Sequence, residues 1–275
     1  MQGPDADPVG RERSQALEAE LRKTRRSLRS ARKELRLTKA RLREARSYIR
    51  EGEVELPEHV ERVIGRVREE NLTYLREHNL RDLAALVADL DRRSVPGLVV
   101  EAGTALGGSA IVMAAAKAPD RPMKVFDVFG MIPPPTDRDG EDVHRRFEQI
   151  SGGKASGIGD GEYYGYRADL YDEVLASFGR LGVPARDHRV ELVRGLFEDT
   201  IDLDEPVAFA HLDGDWYEST MTCLQRIAPL VSPGGRIVLD DYYAWSGCRT
   251  AVDEYFAGNA TFRLEFRAKV HAIRV

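Results

Sequence analysis

Four aspartates fall at two points where a short apolar run ends. His211-Leu212-Asp213-Gly214-Asp215 closes one run, and Asp240-Asp241-Tyr242 closes the next. Gathering that much negative charge is unfavourable unless a cation or protons neutralise it. Oxygen-only ligation, with no cysteine or paired histidine alongside, suits a hard ion such as Mg2+, Mn2+ or Ca2+ rather than zinc. Some of these acids could instead cap helices, and Asp215 stands directly before a helical pattern at 216–230.

Two further features lie upstream. Glu101-Ala102-Gly103-Thr104-Ala105-Leu106-Gly107-Gly108-Ser109 follows a run of Val and Leu and precedes a helical pattern. Glycines at a strand-to-helix turn let a ligand approach the backbone, and the helix N-terminus favours a negative group. The spacing lacks the full Gly-x-Gly-x-x-Gly fingerprint, so NAD is not expected. Asp127 ends the next apolar run, where an acid is placed to accept both ribose hydroxyls of an adenosine ligand.

The elements that must carry these residues alternate. Strands are expected at 98–101, 123–127, 189–193, 207–212 and 236–239, with helices near 107–118, 168–181, 216–230 and 247–257 between or after them. Two earlier helices are expected near 58–70 and 72–91. Such alternation indicates a parallel sheet with helices on both faces, and residues 261–275 read as a final antiparallel strand pair. A ligand of this doubly wound α/β sheet belongs at the C-terminal strand ends, at the switch point.

The net charge of −5 hides a split. Residues 1–50 hold 15 basic and 7 acidic side chains, whereas the other 225 hold 26 and 39. Between Arg11 and Arg50 there is no Gly or Pro. Leu21, Leu28, Leu35, Leu42 and Ile49 recur every seven residues, with Leu17, Thr24, Ala31, Thr38 and Ala45 four residues before each. This heptad predicts a coiled-coil helix that must pair to be stable. Its Arg-rich flanks would repel in a parallel homodimer unless anions or an acidic surface compensate. No aromatic interleaving or base-reading motif accompanies the basic residues, so nucleic acid is not an expected partner. The 42% hydrophobic content supports a real core, and no apolar run is long enough to span a bilayer. Two distant cysteines make neither a disulfide scaffold nor a zinc motif, and no signal-peptide pattern opens the chain; a cytoplasmic setting is the default expectation.

Taken together these motifs resemble the class I S-adenosylmethionine-dependent methyltransferases. Within them the chain is similar to the macrocin O-methyltransferase family, which methylates sugar hydroxyls on bacterial natural products and needs a divalent metal. The matching stretches are 100–109, 126–133, 193–200, 212–220, Pro233-Gly234-Gly235 and Asp240-Asp241-Tyr242, so the resemblance runs from about residue 70 onward and leaves 1–50 outside it. It implies a Rossmann-like methyltransferase sheet, mostly parallel, with an antiparallel strand near the C-terminus. Glu101, Gly103, Thr104, Gly107 and Ser109 would line the methionine and ribose side, Asp127 would hold the ribose, and Gly195, Leu196 and Phe197 would flank the adenine. Asp213, Asp240 and Asp241 would ligate Mg2+ or Mn2+, with Asp213 also beside S-adenosylmethionine, and Asp215 would be the general base. Val128 departs from the Ser or Thr that many members carry after the ribose-binding acid.

The resulting expectation is a metal-dependent transfer of methyl to a sugar hydroxyl of a small-molecule glycoside, as in antibiotic biosynthesis. The alternatives are a catechol or phenol O-methyltransferase, and an inactive methyltransferase-like scaffold acting through its coiled coil. The chain divides as 1–10 a disordered lead, 11–50 the basic coiled coil, 51–96 a helical part of the catalytic domain and 97–275 the methyltransferase domain. A homo-oligomer is expected through that domain, the coiled coil or both. The Gly- and aromatic-rich stretch at 131–166 is expected to form a lid. Its Tyr163, Tyr164 and Tyr166 either stack on the acceptor or pack the loop onto the domain, while Trp216, Trp245 and Tyr242 are candidate walls of the acceptor pocket.

Overall fold

A computed structural model describes residues 17–33, 35, 36, 39 and 55–275. The expected lead at 1–10 and the heptad residues Thr38, Leu42, Ala45 and Ile49 lie outside them. Residues 17–33 are helical (α1). Helices α2 (Glu58–Glu69) and α3 (Glu77–Arg92) follow, each burying one stripe: Val60, Val63, Ile64 and Val67 on α2, and Leu80, Leu83, Ala84, Val87 and Leu90 on α3.

The sheet begins with β1 (Leu98–Ala102), followed by α4 (Gly108–Ala116) and β2 (Met123–Asp127). Next come α5 (Glu141–Ser151), α6 (Leu170–Arg180), β3 (Val190–Arg194), the single turn α7 (Phe197–Thr200) and β4 (Val207–Leu212). The chain continues through α8 (Tyr217–Ile227), β5 (Val231–Leu239) and α9 (Ser246–Phe256) to β6 (Phe262–Phe266) and β7 (Val270–Arg274). The order across the seven-stranded sheet is β3-β2-β1-β4-β5-β7-β6, with β7 antiparallel to both its neighbours and every other pair parallel. This is the expected Rossmann-like architecture, and its switch point lies between β1 and β4. Among the described residues no helix is long and apolar enough to cross a membrane.

Two cores flank the sheet. Val99, Phe209 and Val238 point toward α2, α3, α4 and α6, whereas Val100, Ala210, Ile237 and Leu239 point toward α8 and α9. Every residue of β1 and β4 is buried, as a parallel sheet covered on both faces requires.

Three elements depart from the sequence expectation. Strand β5 starts at Val231 rather than 236, because Val231 already pairs with Val207 across an irregular register. Helix α3 starts at Glu77, five residues late. The stretch read as a long loop contains α5, bracketed by Gly140 and Gly152, with Val143 and Ile150 buried on one face. That excursion is also tied down. Asp139 accepts the Tyr217 N–H at 2.9 Å, Asp142 accepts the Ser246 N–H at 3.1 Å, and Trp216 Nε1 donates to the Pro133 carbonyl at 3.0 Å.

Candidate active site

Strand register alone assembles the site. Ala102 pairs with Leu212 and Leu212 with Leu239, so Gly103, Asp213 and Asp240 are each the first residue past the end of adjacent strands. The ladder continues one step further: the Asp213 N–H donates to the Ala102 carbonyl and the Asp240 N–H to the Leu212 carbonyl, both at 2.9 Å. At this edge the first loop must pass close to the β4 end. A Cβ on Gly103 would run into the Asp213 carbonyl oxygen, and Gly103 has φ of 87°. Gly103→Ala is therefore expected to cost at least about 1 kcal/mol of stability and to displace Asp213; denaturant titration and S-adenosylmethionine calorimetry on the variant check both. Gly107 has φ of 85° at the α4 N-cap, and its missing side chain leaves room for Val174 of α6.

A cavity of about 560 Å³ opens over this edge. Gly103, Thr104, Ser109, Asp127, Tyr163, Tyr164, Asp213, Asp215, Trp216, Asp240 and Asp241 line it, as does Trp245. A narrow recess of about 50 Å³ adjoins it, between Leu196 and Phe197 on one side and Asp127, Gly130 and Gly214 on others. Gly195, with φ of 148°, makes the turn that delivers Leu196 and Phe197. The structure thus brings most of the residues singled out in sequence to one cavity. Glu101 is beneath it, and Tyr166 and Tyr242 are not on its wall. Tyr166 Oη donates to the Ile150 carbonyl at 2.6 Å and accepts from Ala155 N, which braces the excursion. Tyr242 donates to Asp253 at 2.8 Å and meets Phe266, while its neighbour Tyr243 faces the cavity.

Asp127 is buried and held by three backbone N–H groups: Thr104 at 2.7 Å, Ala105 at 3.1 Å and Phe129 at 2.7 Å. Burial pushes its carboxyl up and these bonds pull it back. A carboxylate offers about four acceptor positions, so this arrangement leaves one, and the expectation of two ribose hydroxyls narrows accordingly.

The aspartate cluster forms two overlapping groups. Carboxylate oxygens of Asp213, Asp215 and Asp241 lie within 4.8 Å of one another, and ligand atoms of His211, Asp213 and Asp240 do likewise. Burial, followed by the charges of Asp240, Asp241 and Asp215, drives the Asp213 carboxyl well above its usual range. Asp215 is raised by burial and Asp241 in the same way, and Asp241 reaches about 6 through burial and Asp240. Asp240 differs. Burial alone would raise it, but Lys269 and His211 beside it hold it well below the usual carboxylate value. Lys269 Nζ donates to Asp240 Oδ2 at 2.6 Å and to its carbonyl at 3.1 Å.

Beneath Asp240 runs a buried polar chain. His211 Nδ1 stands 2.9 Å from Glu101 Oε1, and its Nε2 is 3.5 Å from Asp240 Oδ1; Thr104 Oγ1 donates to Glu101 Oε2 at 2.7 Å. Burial would lower the imidazole pKa, yet hydrogen bonds to Asp240 and Glu101 lift it to about 9. His211 thus stands between two carboxylates, with one ring nitrogen facing each. Asp215 has φ of 58°, a left-handed conformation that Asp tolerates better than most, and its N–H is caught by Asp241 Oδ2 at 3.0 Å. That turn aims its carboxylate into the cavity beside Trp216.

Sequence reading passed over Lys269, Glu101's link to His211, and Tyr243. The carboxylates of Asp213, Asp215, Asp240 and Asp241 fit a hard divalent cation: they are all-oxygen donors, crowded, and three of the four are pushed up by burial and by one another.

The chain is similar to known proteins. A model describing macrocin O-methyltransferases matches residues 11–262. The match begins well upstream of residue 70 and so spans residues that the motifs had left outside. The 8-demethyl-8-(2,3-dimethoxy-alpha-L-rhamnosyl)-tetracenomycin-C 4'-O-methyltransferase of Streptomyces olivaceus is 34% identical over 206 residues, covering 72% of this chain and 69% of that protein. The mycinamicin III 3''-O-methyltransferase of Micromonospora griseorubida is 32% identical over 211 residues, 73% and 72% of the two chains. The solved structure of the O-methyltransferase NovP superposes with a TM-score of 0.63 at 25% identity, over 79% of this chain and 96% of its own.

Proposed function

This chain belongs to the macrocin O-methyltransferase family, and from that membership we propose that it methylates a sugar hydroxyl of a glycosylated natural product with the help of a divalent cation. S-adenosylmethionine-dependent O-methylation in natural-product biosynthesis is the activity of its relatives, and the tetracenomycin relative is named for a rhamnosyl-bearing substrate. The observation that carries the reading is the cluster of Asp213, Asp215 and Asp241 carboxylates at one end of the cavity, beside the recess made by Leu196 and Phe197.

In this reading the adenine lies in the recess and Asp127 accepts one ribose hydroxyl with its remaining acceptor position. When bound, S-adenosylmethionine supplies an electrophilic sulfonium methyl. A divalent cation supplies positive charge that lowers the pKa of a hydroxyl beside it. Asp213, Asp240 and Asp241 would hold that cation, with Lys269 and His211 steadying the Asp240 carboxylate from its two oxygens. Asp215 accepts the proton of the acceptor hydroxyl, because its left-handed turn aims it into the cavity rather than along α8. Trp216, Trp245 and Tyr164 form the walls that exclude water and fix the acceptor's approach.

Labelled S-adenosylmethionine offered with a panel of glycosides and catechols is the direct test, run with and without chelator. Label is expected on glycosides, lost in chelator and restored by Mg2+ or Mn2+. Label on catechols alone would overturn the sugar assignment, and full activity in excess chelator would overturn the cation. Asp240→Asn is expected to abolish turnover while leaving S-adenosylmethionine binding, measured by calorimetry, largely intact.

A further inference from the structure

Helix α1 carries an apolar stripe that its own chain leaves open. Leu17, Leu21, Leu28 and Leu35 are 61%, 50%, 49% and 54% exposed. The helix is nevertheless in touch with the catalytic domain through a different side. Arg29 pairs with Glu141 at 3.2 Å, at the first residue of α5, and Arg36 is partly buried within electrostatic reach of Asp142. At about 100° per residue, Arg29 and Arg36 lie about a third of a turn round the helix from the leucines. The contact with α5 therefore leaves the stripe free.

We propose that this stripe is covered by α1 of a second copy of the chain, running parallel and in register. The charges beside the stripe decide the direction. With Leu21, Leu28 and Leu35 at one core position of the heptad and Leu17, Thr24 and Ala31 at the other, the residues flanking the seam are Glu18, Arg25, Arg32 and Lys39 on one side and Glu20, Ser27 and Glu34 on the other. In a parallel, in-register pair each residue of the second row meets the residue five positions later on the other helix. Glu20 then faces Arg25, and Ser27 faces Arg32. In an antiparallel pair the first row faces itself, which brings Arg25, Arg32 and Lys39 of one helix against the same residues of the other.

The basic excess that seemed to forbid a parallel dimer lies elsewhere. Arg22, Lys23, Arg26, Arg29 and Lys33 occupy the outer positions of the heptad, away from the seam. Like charges there are separated by the width of two helices and screened by salt. In-register pairing also sets each leucine against its own counterpart, which a repeat of seven residues requires.

Two cysteine variants of the full chain test the direction, Leu17→Cys and Leu35→Cys, one from each core position of the heptad; the native Cys223 and Cys248 are buried and contribute little background. Under mild oxidation each variant alone is expected to form a disulfide-linked dimer on a non-reducing gel. Cross-linking only when the two variants are mixed would establish antiparallel pairing and overturn the proposal, as would no cross-linking in either. Light scattering on Leu28→Glu supplies an independent reading. Its mass is expected to fall by one step of assembly with unchanged far-ultraviolet circular dichroism of the catalytic domain, and an unaltered mass would likewise overturn the proposal.

Discussion

Replacing Asp215 by Asn is expected to lower kcat by about 10²–10⁴-fold, the range of a lost general base, with S-adenosylmethionine affinity nearly unchanged. The amide keeps the size of the carboxylate and its left-handed turn, so Asp241 continues to accept the Asp215-position N–H. What disappears is a carboxylate able to take a proton from an acceptor hydroxyl. The recess formed by Leu196 and Phe197 and the Asp127 cradle are untouched. Single-turnover methyl transfer with labelled donor measures the first quantity and calorimetry the second. A kcat within a few-fold of the parent would show that Asp215 is not the base.

Lys269→Met is expected to destabilise the cation-free protein by about 3 kcal/mol, toward the lower end of the cost of breaking a buried ion pair. The side chains of Lys269 and Asp240 are 21% and 11% exposed, so solvent can screen the orphaned carboxylate only in part. For a domain of this size about 3 kcal/mol corresponds to a Tm about 6–12 °C lower. Mg2+ is expected to raise the Tm of the variant more than that of the parent, because a divalent ion meets a cluster with one fewer positive neighbour. Differential scanning in chelator and in Mg2+ checks both statements. Equal Tm values for parent and variant in chelator would mean that the ammonium contributes nothing to holding Asp240.

Most of the site could be read from sequence because it is built at strand ends. A short, mostly apolar run followed by an acid marks such an end, and the parallel register then places Asp127, Asp213 and Asp240 along one edge. Lys269 escaped because its partner is fixed only by antiparallel pairing. Leu239 opposes Val270, which places Asp240 opposite Lys269, and nothing local says that the last hairpin inserts β7 next to β5. Tyr242 and Tyr243 are adjacent on a turn, so proximity in sequence could not say which one faces the cavity. Glu101 shows the same limit: its side chain meets His211 on the neighbouring strand, one layer below the ligand space. Helix α5 did leave a signal, in the spacing of Val143, Phe147 and Ile150 between two glycines, but the glycines and tyrosines around it suggested a loop. Masked by composition, the charge split proved more informative as position than as a sum.

The place of Lys269 has a consequence for how the protein is made. Synthesis proceeds from the N-terminus, and every aspartate of the cluster leaves the ribosome before the β6–β7 hairpin exists. A nascent chain that has reached α9 holds Asp213, Asp215, Asp240 and Asp241 without the ammonium that balances one of them. The edge that carries the aspartates is thus completed by strands translated after all of them, and truncated products that stop before Phe262 hold the four acids without the ammonium that balances Asp240.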